Sequence, residues 1–208
     1  VGRAFTARLA RRKAAPYEAG RGLRGPTARQ WLAAAFLSGF CLLALEVVWF
    51  RFLVLFVKGH SLALALILCI VLTGIALGGL AGASWLRVAP RAHRFASPIA
   101  FSAGLLCVIS YAVFPLLIES APALIVDPLG ILRIGAPLML PVAFVSGIFF
   151  TLLGTALRSH LASETETAGV LTLANTAGAA CGSLVAGFVL LPFLGMERSF
   201  FLIALLYG

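Results

Sequence analysis

Five long runs of apolar residues dominate this chain, and they restrict what it can fold into. Each run is close to the roughly 20 residues that an α-helix needs to cross the hydrocarbon core of a bilayer. Backbone N–H and C=O groups find no partner in lipid, so each run must be helical. The predicted spans cover residues 31–57, 61–85, 97–118, 131–157 and 168–191, followed by a partial sixth run at 199–208.

The composition excludes an ordinary soluble domain. Of the 208 residues, 62% are hydrophobic and only 11% are charged, against about 25% charged residues in a typical soluble domain. The mean hydropathy is +1.07. The predicted fold class is therefore an all-α integral membrane protein, a bundle of about five to six transmembrane helices (31–208) behind a basic arm (1–30).

The basic residues predict the orientation of the bundle. With a cytoplasmic N-terminus, the inner segments hold twelve of the sixteen Lys and Arg residues and the outer segments hold three, with Arg51 inside the first span. Positive charge collects on the cytoplasmic side of membrane proteins. The same distribution predicts an integral protein of a cytoplasmic (inner) membrane.

The arm before Trp31 carries eight of those basic residues. A basic segment beside a membrane span typically contacts anionic lipid headgroups. Nucleic acid is the alternative partner for such an arm, but the arm has almost no aromatic residues on which bases could stack. We therefore expect membrane lipids as its partner and no nucleic acid.

Small residues recur at every fourth position in two spans. Residues four apart share one helix face, and small side chains there let a second helix approach closely. Packing between helices is the simpler interpretation, and the lining of a substrate path is the alternative. The residues concerned are Gly74, Gly78 and Gly82 in the second span and Ala174, Gly178, Gly182 and Ala186 in the fifth.

Pro137 and Pro141 lie within the fourth span. Proline removes a backbone donor and clashes with the preceding helical turn, so the sequence predicts a kinked or broken helix. Broken helices occur at transporter binding sites, whereas simple kinks are common in membrane bundles.

Glu46 is the acid that lies well inside a span. It follows Trp31 by 15 residues, about 22 Å along a helix, and a charge at that depth must face the bundle and be paired or protonated. Arg51 is five residues further on, off the ideal face for a pair, and can extend to the interface. Three roles remain open for Glu46: a structural ion pair or hydrogen-bonded acid, a cation or proton site, and a contact with another subunit.

Asn175 and Thr176 are the polar residues of the fifth span. We expect them to be buried and to form hydrogen bonds between helices. Together with Glu46 and Arg51 they make up the candidate intramembrane polar site, and a contact between Glu46 and Asn175 is one arrangement of it.

No pattern in the sequence indicates catalysis, a metal site or a cofactor. There is no phosphate-binding loop, nucleophile elbow or HExxH motif. The cysteines stand alone within apolar runs, as small buried residues do. Glu164 and Glu166 match the start of a helix capped by Ser163 or Thr165 better than a catalytic pair.

Four short stretches resemble the membrane region of spermidine synthase-like membrane proteins of bacteria. In that family, a transporter-like membrane region precedes a soluble aminopropyltransferase-like domain. The matching stretches are Phe36–Leu53 with its core Glu-Val-Val-Trp-x-Arg at Glu46–Arg51, Gly74-Ile-Ala-Leu-Gly-Gly79, Leu140-Pro141 with Gly147, and Ala174-Asn-Thr-Ala-Gly-Ala179 with Gly187-Phe188 and Leu191-Pro192.

The resemblance implies no catalytic residue in this chain, because the matching stretches all lie in the membrane region. The function that we expect is a non-catalytic anchor or accessory subunit of a larger membrane complex, of a respiratory or photosynthetic kind for example, with other membrane subunits as partners. The alternatives are a transporter-like module for a small cation such as a polyamine, with Glu46 as the binding acid, and the membrane part of a spermidine synthase-like enzyme.

Overall fold

The structure is a computed structural model that describes residues 26–57, 60–119, 125, 127–161 and 163–208, without the side chains of residues 60 and 117–119. The chain forms an all-α bundle with five segments long and apolar enough to cross a membrane. Its helices are α1 (Ala28–Leu53), α2 (His60–Val88), α3 (Ala96–Glu119), α4 (Pro128–Arg158), α5 (Glu164–Val185) and α6 (Leu191–Tyr207). A 3₁₀ helix (Ala92–Phe95) precedes α3, and a π-helical segment (Ala186–Leu190) joins α5 to α6.

The helix starts follow local capping chemistry. The Thr27 N–H donates to Gln30 Oε1 at the start of α1 (2.7 Å), and the Gly130 N–H donates to Asp127 Oδ2 at the start of α4 (2.7 Å). At the start of α5, the Glu166 N–H donates to Ser163 Oγ (3.0 Å). Of the two caps predicted for this helix, Ser163 and Thr165, the structure uses Ser163, and it satisfies a helix N–H that has no partner within the helix.

Two helix pairs form the most extensive contacts, and neither pair is consecutive in the chain. They are α2 with α4 and α1 with α5. A Cβ at Gly178 would meet the backbone of Phe36, and a Cβ at Gly182 would meet the backbone of Phe40. From the first contact to the second, the chain moves four residues towards the C-terminus in both helices, so α1 and α5 run parallel.

The core lies where α4 crosses the other helices. Leu45 and Trp49 of α1 and Leu138 and Met139 of α4 are at most 1% exposed, and α6 packs against both α1 and α3. The surface of the bundle carries many exposed large apolar side chains, such as Leu80 and Phe101. Such a surface suits lipid, where apolar side chains meet no water.

The structure differs from the sequence prediction at the last two spans. Helical residues run from Glu164 to Tyr207 with a single non-helical residue, Gly195, where the sequence predicts spans at 168–191 and 199–208 with a loop between them. The chain turns instead at one residue, Gly195, with φ 76° and ψ 179°. Only glycine readily takes that conformation, so one residue replaces the loop.

The other predicted ends shift by a few residues. α1 ends at Leu53 rather than at residue 57. Residues 54–56 form turns, and Val57 then forms an isolated β-bridge with Ile125. The Ile125 N–H donates to the Phe56 carbonyl (3.0 Å), a non-helical use of backbone groups that hydropathy does not predict. Residues 1–25 of the basic arm predicted at 1–30 lie outside the described residues.

Candidate functional site

Glu46 is buried in the middle of the bundle, with 9% of its surface exposed. Gly182 lies against Phe40, and α1 and α5 run parallel. Six residues further along each helix, Glu46 is therefore level with Phe188 in the π-helical segment. Within the described residues, the Glu46 carboxylate forms no ion pair and no hydrogen bond. The ion pair found among those residues joins Arg158 and Glu164, at the end of the bundle that holds Thr27. A π-helical turn in a membrane helix often marks a functional position.

Arg51 does not share the environment of Glu46. Its side chain is exposed at the far end of α1, as expected for an arginine five residues further along a helix and near the membrane surface. The structure therefore does not bring Arg51 and Glu46 together as a pair.

Asn175 faces α1, but at a different level from Glu46. Its Oδ1 would lie 2.9 Å from a Cβ built on Gly39, and Gly39 precedes Glu46 by seven residues, about 10 Å along the helix. The arrangement in which Asn175 contacts Glu46 is therefore not formed.

Thr176 is exposed on the outside of α5, so its expected burial is wrong. One residue turns an α-helix by about 100°. Because Asn175 points to α1, its neighbour Thr176 points away from the bundle.

The small-residue faces lie at the two most extensive helix contacts. On α2, a Cβ at Gly74 would lie 2.7 Å from Ala143 Cβ, and a Cβ at Gly82 would lie 3.1 Å from Thr151 Cβ. A Cβ at Gly78 would overlap the Phe144 carbonyl. In α5, Gly178 and Gly182 contact the α1 backbone, and Ala174 packs against buried apolar residues. Ala186, the first residue of the π-helical segment, is part of the buried core.

The prolines of α4 do not break the helix. α4 is continuous from Pro128 to Arg158, with Pro137 and Pro141 inside it. Its neighbours hold it on several sides, since α4 packs against α1, α2 and α3. The interruption of helical geometry occurs at Gly195 instead.

A buried hydroxyl pair joins α4 to α6, and the sequence analysis missed it. The Tyr207 hydroxyl donates to Ser146 Oγ (2.7 Å), which in turn donates to the Val142 carbonyl (2.7 Å). Both residues are at most 6% exposed. The two residues are 61 positions apart in the chain, and no sequence spacing indicates their contact.

An open cavity of about 860 Å³ lies beside Tyr207. Its wall includes Ser38 and Cys41 of α1, and its rim includes His93, Arg94 and His160. The interior is mainly apolar and the basic groups stand at the mouth. The described residues contain no group of three or more His, Cys, Asp or Glu side chains that could hold a metal ion.

Comparisons with known proteins assign this chain to no family. No family model matches it, no curated protein matches it, and no solved structure matches it. The resemblance to spermidine synthase-like membrane proteins therefore stays a prediction from the sequence.

Proposed function

We propose that this chain is a non-catalytic membrane module that holds a helix of a partner protein, as an anchor or accessory subunit of a larger complex in a bacterial cytoplasmic membrane. The observation that carries this proposal is the outer face of α5. This face includes Gly169, Thr172, Thr176 and Ala180, all exposed, at spacings that place them on one side of the helix. Leu173, which is 69% exposed, lies on the same side.

The outer face of α5 carries fewer large side chains than the other surfaces that meet lipid; Leu173 and Leu184 are the exposed large residues of α5. On α2 and α3 the exposed positions include large side chains such as Leu72, Leu80 and Phe101, each at least 62% exposed. Small residues fill less of a lipid-facing surface but allow a second helix to approach closely. The outer face of α5 therefore suits a helix better than it suits acyl chains.

The hydroxyl groups on this face support the same proposal. Thr151, Thr155 and Thr167 donate to backbone carbonyls four residues earlier in the chain. Among the described residues, the Thr172 and Thr176 hydroxyls have no such partner. In lipid, a partner helix would provide the missing acceptor.

A groove runs beside this face, between α4 and α5. Its volume is about 310 Å³, and its wall includes Thr155, Gly154 and Thr172. A side chain from a partner helix on the outer face of α5 would fit into this groove.

The experiment is extraction of the tagged chain from its native membranes in mild detergent, followed by sizing and mass spectrometry. We expect a stoichiometric membrane partner, and we expect Thr176→Leu with Ala180→Leu to remove it because the larger side chains block close approach. Thr73→Leu with Ala76→Leu on α2 is the matched control, since both residues are also exposed. Equal recovery of the partner with both double variants, or no stoichiometric partner at all, would contradict the proposal.

A second candidate function is a transporter-like module for a small cation such as a polyamine. The buried Glu46, which lacks a counter-ion within the described residues, favours it. Glu46→Gln should abolish uptake in proteoliposomes, while Glu166→Gln, at an exposed acid, should not. Unchanged uptake with Glu46→Gln would exclude this function.

A further inference from the structure

The cavity beside Tyr207 has the size and the lining of a binding site. Its volume of about 860 Å³ falls within the range of about 300–1,000 Å³ that ligand sites occupy. Four helices, α1, α3, α4 and α6, each supply part of its wall. Ala34 and Ala100 are half-buried residues of that wall, so small apolar side chains face a space that a ligand can enter.

One side of the cavity borders the surface that meets lipid. Leu37 of α1 and Leu206 of α6 line the cavity and are 36% and 44% exposed. One helical turn before each of them, Ala33 and Leu202 are also exposed, so Leu37 and Leu206 continue the outer faces of their helices. An acyl chain of the surrounding bilayer can therefore reach the interior from the side.

Basic side chains lie at the other opening, at the end of the bundle that holds Thr27. His93 and Arg94 come from the 3₁₀ helix before α3, and His160 follows the end of α4. No Asp or Glu is among the described residues that line the cavity, and Arg94 forms no ion pair within the described structure. Because arginine is always protonated in proteins, this opening carries a positive charge without a protein counter-charge.

The chain offers little negative charge to this opening. The arm before Trp31 carries eight Lys and Arg residues against one acid, Glu18. Glu164 and Glu166 belong to α5, which supplies no residue to the wall of the cavity, and Glu164 is already paired with Arg158. A separate anionic molecule is the better counter-charge for Arg94.

An apolar interior next to lipid and a positive opening at the membrane surface fit one class of ligand. Arginine binds phosphate through charge-assisted hydrogen bonds, and basic pockets between membrane helices bind anionic lipid headgroups. We propose that the cavity beside Tyr207 binds one anionic phospholipid, with an acyl chain in the interior and the phosphate at Arg94, His93 and His160.

This lipid site is separate from the outer face of α5 and from Glu46, so it does not depend on the proposed function. It also differs from the contact expected between the basic arm and lipid headgroups, because it requires an enclosed acyl chain as well as a charge. The two requirements can be tested with different variants.

The test measures how phospholipids with brominated acyl chains quench Trp31 in nanodiscs that contain the full chain. Trp31 lines the cavity, Trp49 is 1% exposed, and Trp85→Phe removes the other tryptophan. Brominated phosphatidylglycerol replaces phosphatidylcholine in steps, and brominated phosphatidylcholine measures contact with bulk lipid. We expect half-maximal quenching at a mole fraction at least about fivefold lower for phosphatidylglycerol.

The charge requirement is tested at Arg94. Arg94→Gln should remove most of the preference for phosphatidylglycerol. Arg91→Gln is the matched control, because Arg91 is an exposed arginine three residues earlier that does not line the cavity, and it should keep the preference. An equal loss in both variants would assign the preference to general surface charge and overturn the site, as would an unchanged preference with Arg94→Gln.

The interior is tested with Ala34→Phe, which fills the cavity and changes no charge. Its matched control is Ala33→Phe, at the exposed neighbouring position outside the lining. Native mass spectrometry counts the phosphatidylglycerol molecules that each variant retains, and thermal unfolding shows that each is folded. We expect Ala34→Phe to lose the retained lipid and Ala33→Phe to keep it, and equal retention would overturn the proposal.

Free glycerol 1-phosphate distinguishes a phospholipid from a soluble phosphate. At millimolar concentration it should not restore the quenched Trp31 fluorescence, because it has no acyl chain to occupy the interior. Restoration by glycerol 1-phosphate, or equal quenching by the two brominated lipids, would overturn the phospholipid site.

Discussion

At the scale of single residues, the position of a glycine in the bundle decides what a side chain added there would contact. Gly178 touches the backbone of α1, and a Cβ there would lie 2.7 Å from the Phe36 carbonyl carbon and overlap its oxygen. Gly169, nine residues earlier in the same helix, has nothing within 4 Å of such a Cβ. The spacing by four residues indicated the contact face, but the partner that it meets depends on the fold.

The substitution Gly178→Ala should destabilise the bundle by about 1–3 kcal/mol, because the new methyl group forces two backbones apart. Gly169→Ala should have no cost or stabilise α5 by about 0.5–1 kcal/mol, because alanine loses less backbone entropy. Denaturant titration of both variants in mixed micelles measures the difference. Similar stabilities for the two variants would show that α1 and α5 are not packed as closely as described.

At the scale of elements, the last helix depends on one turn. α5 and the π-helical segment lead into α6 without a loop, and the chain changes direction at Gly195, where φ is 76° and ψ is 179°. That turn carries Phe200 to the rings of Trp49 and Tyr111 and Tyr207 to Ser146. Hydropathy could not predict this turn, because the residues on both sides of it are helical and mainly apolar.

The substitution Gly195→Ala should therefore destabilise the protein by about 1–3 kcal/mol through backbone strain alone. A Cβ at Gly195 has open space around it, so no clash contributes. Gly187→Ala is the matched control, since Gly187 also has nothing within 4 Å but lies in helical backbone. Thermal unfolding in detergent should separate the two variants, and equal midpoints would contradict the strained turn.

At the scale of the whole molecule, the bundle is built from two parallel pairs of helices, α1 with α5 and α2 with α4. Parallel packing requires the two members of a pair to cross the membrane in the same direction. This agrees with the alternating spans predicted from the apolar runs. The distribution of Lys and Arg then determines which end faces the cytoplasm.

The orientation predicts which positions a membrane-impermeant maleimide reaches in intact cells. In a background without native cysteines, Leu129→Cys at the start of α4 should react from outside, and Val88→Cys at the end of α2 should react only after permeabilisation. Both native side chains are at least 74% exposed, so access differs only by side of the membrane. The reverse pattern would show that the N-terminus lies outside.

The sequence by itself determined the class of the fold, most of the helix limits, a capped start of α5 near Ser163 and Thr165, and the burial of Glu46. These follow from local physics: the thickness of a bilayer, backbone groups that lipid cannot satisfy, and the cost of a charge among acyl chains. Only the tertiary structure decided which helices pair, that Thr176 points outward, that α4 passes through its prolines without a break, and that the rings of Trp49 and Tyr111 lie beside Phe200. In lipid an apolar helix face is satisfied by acyl chains or by another helix alike, so the hydrophobic pattern does not select a neighbour. That choice depends on close packing between residues far apart in the chain.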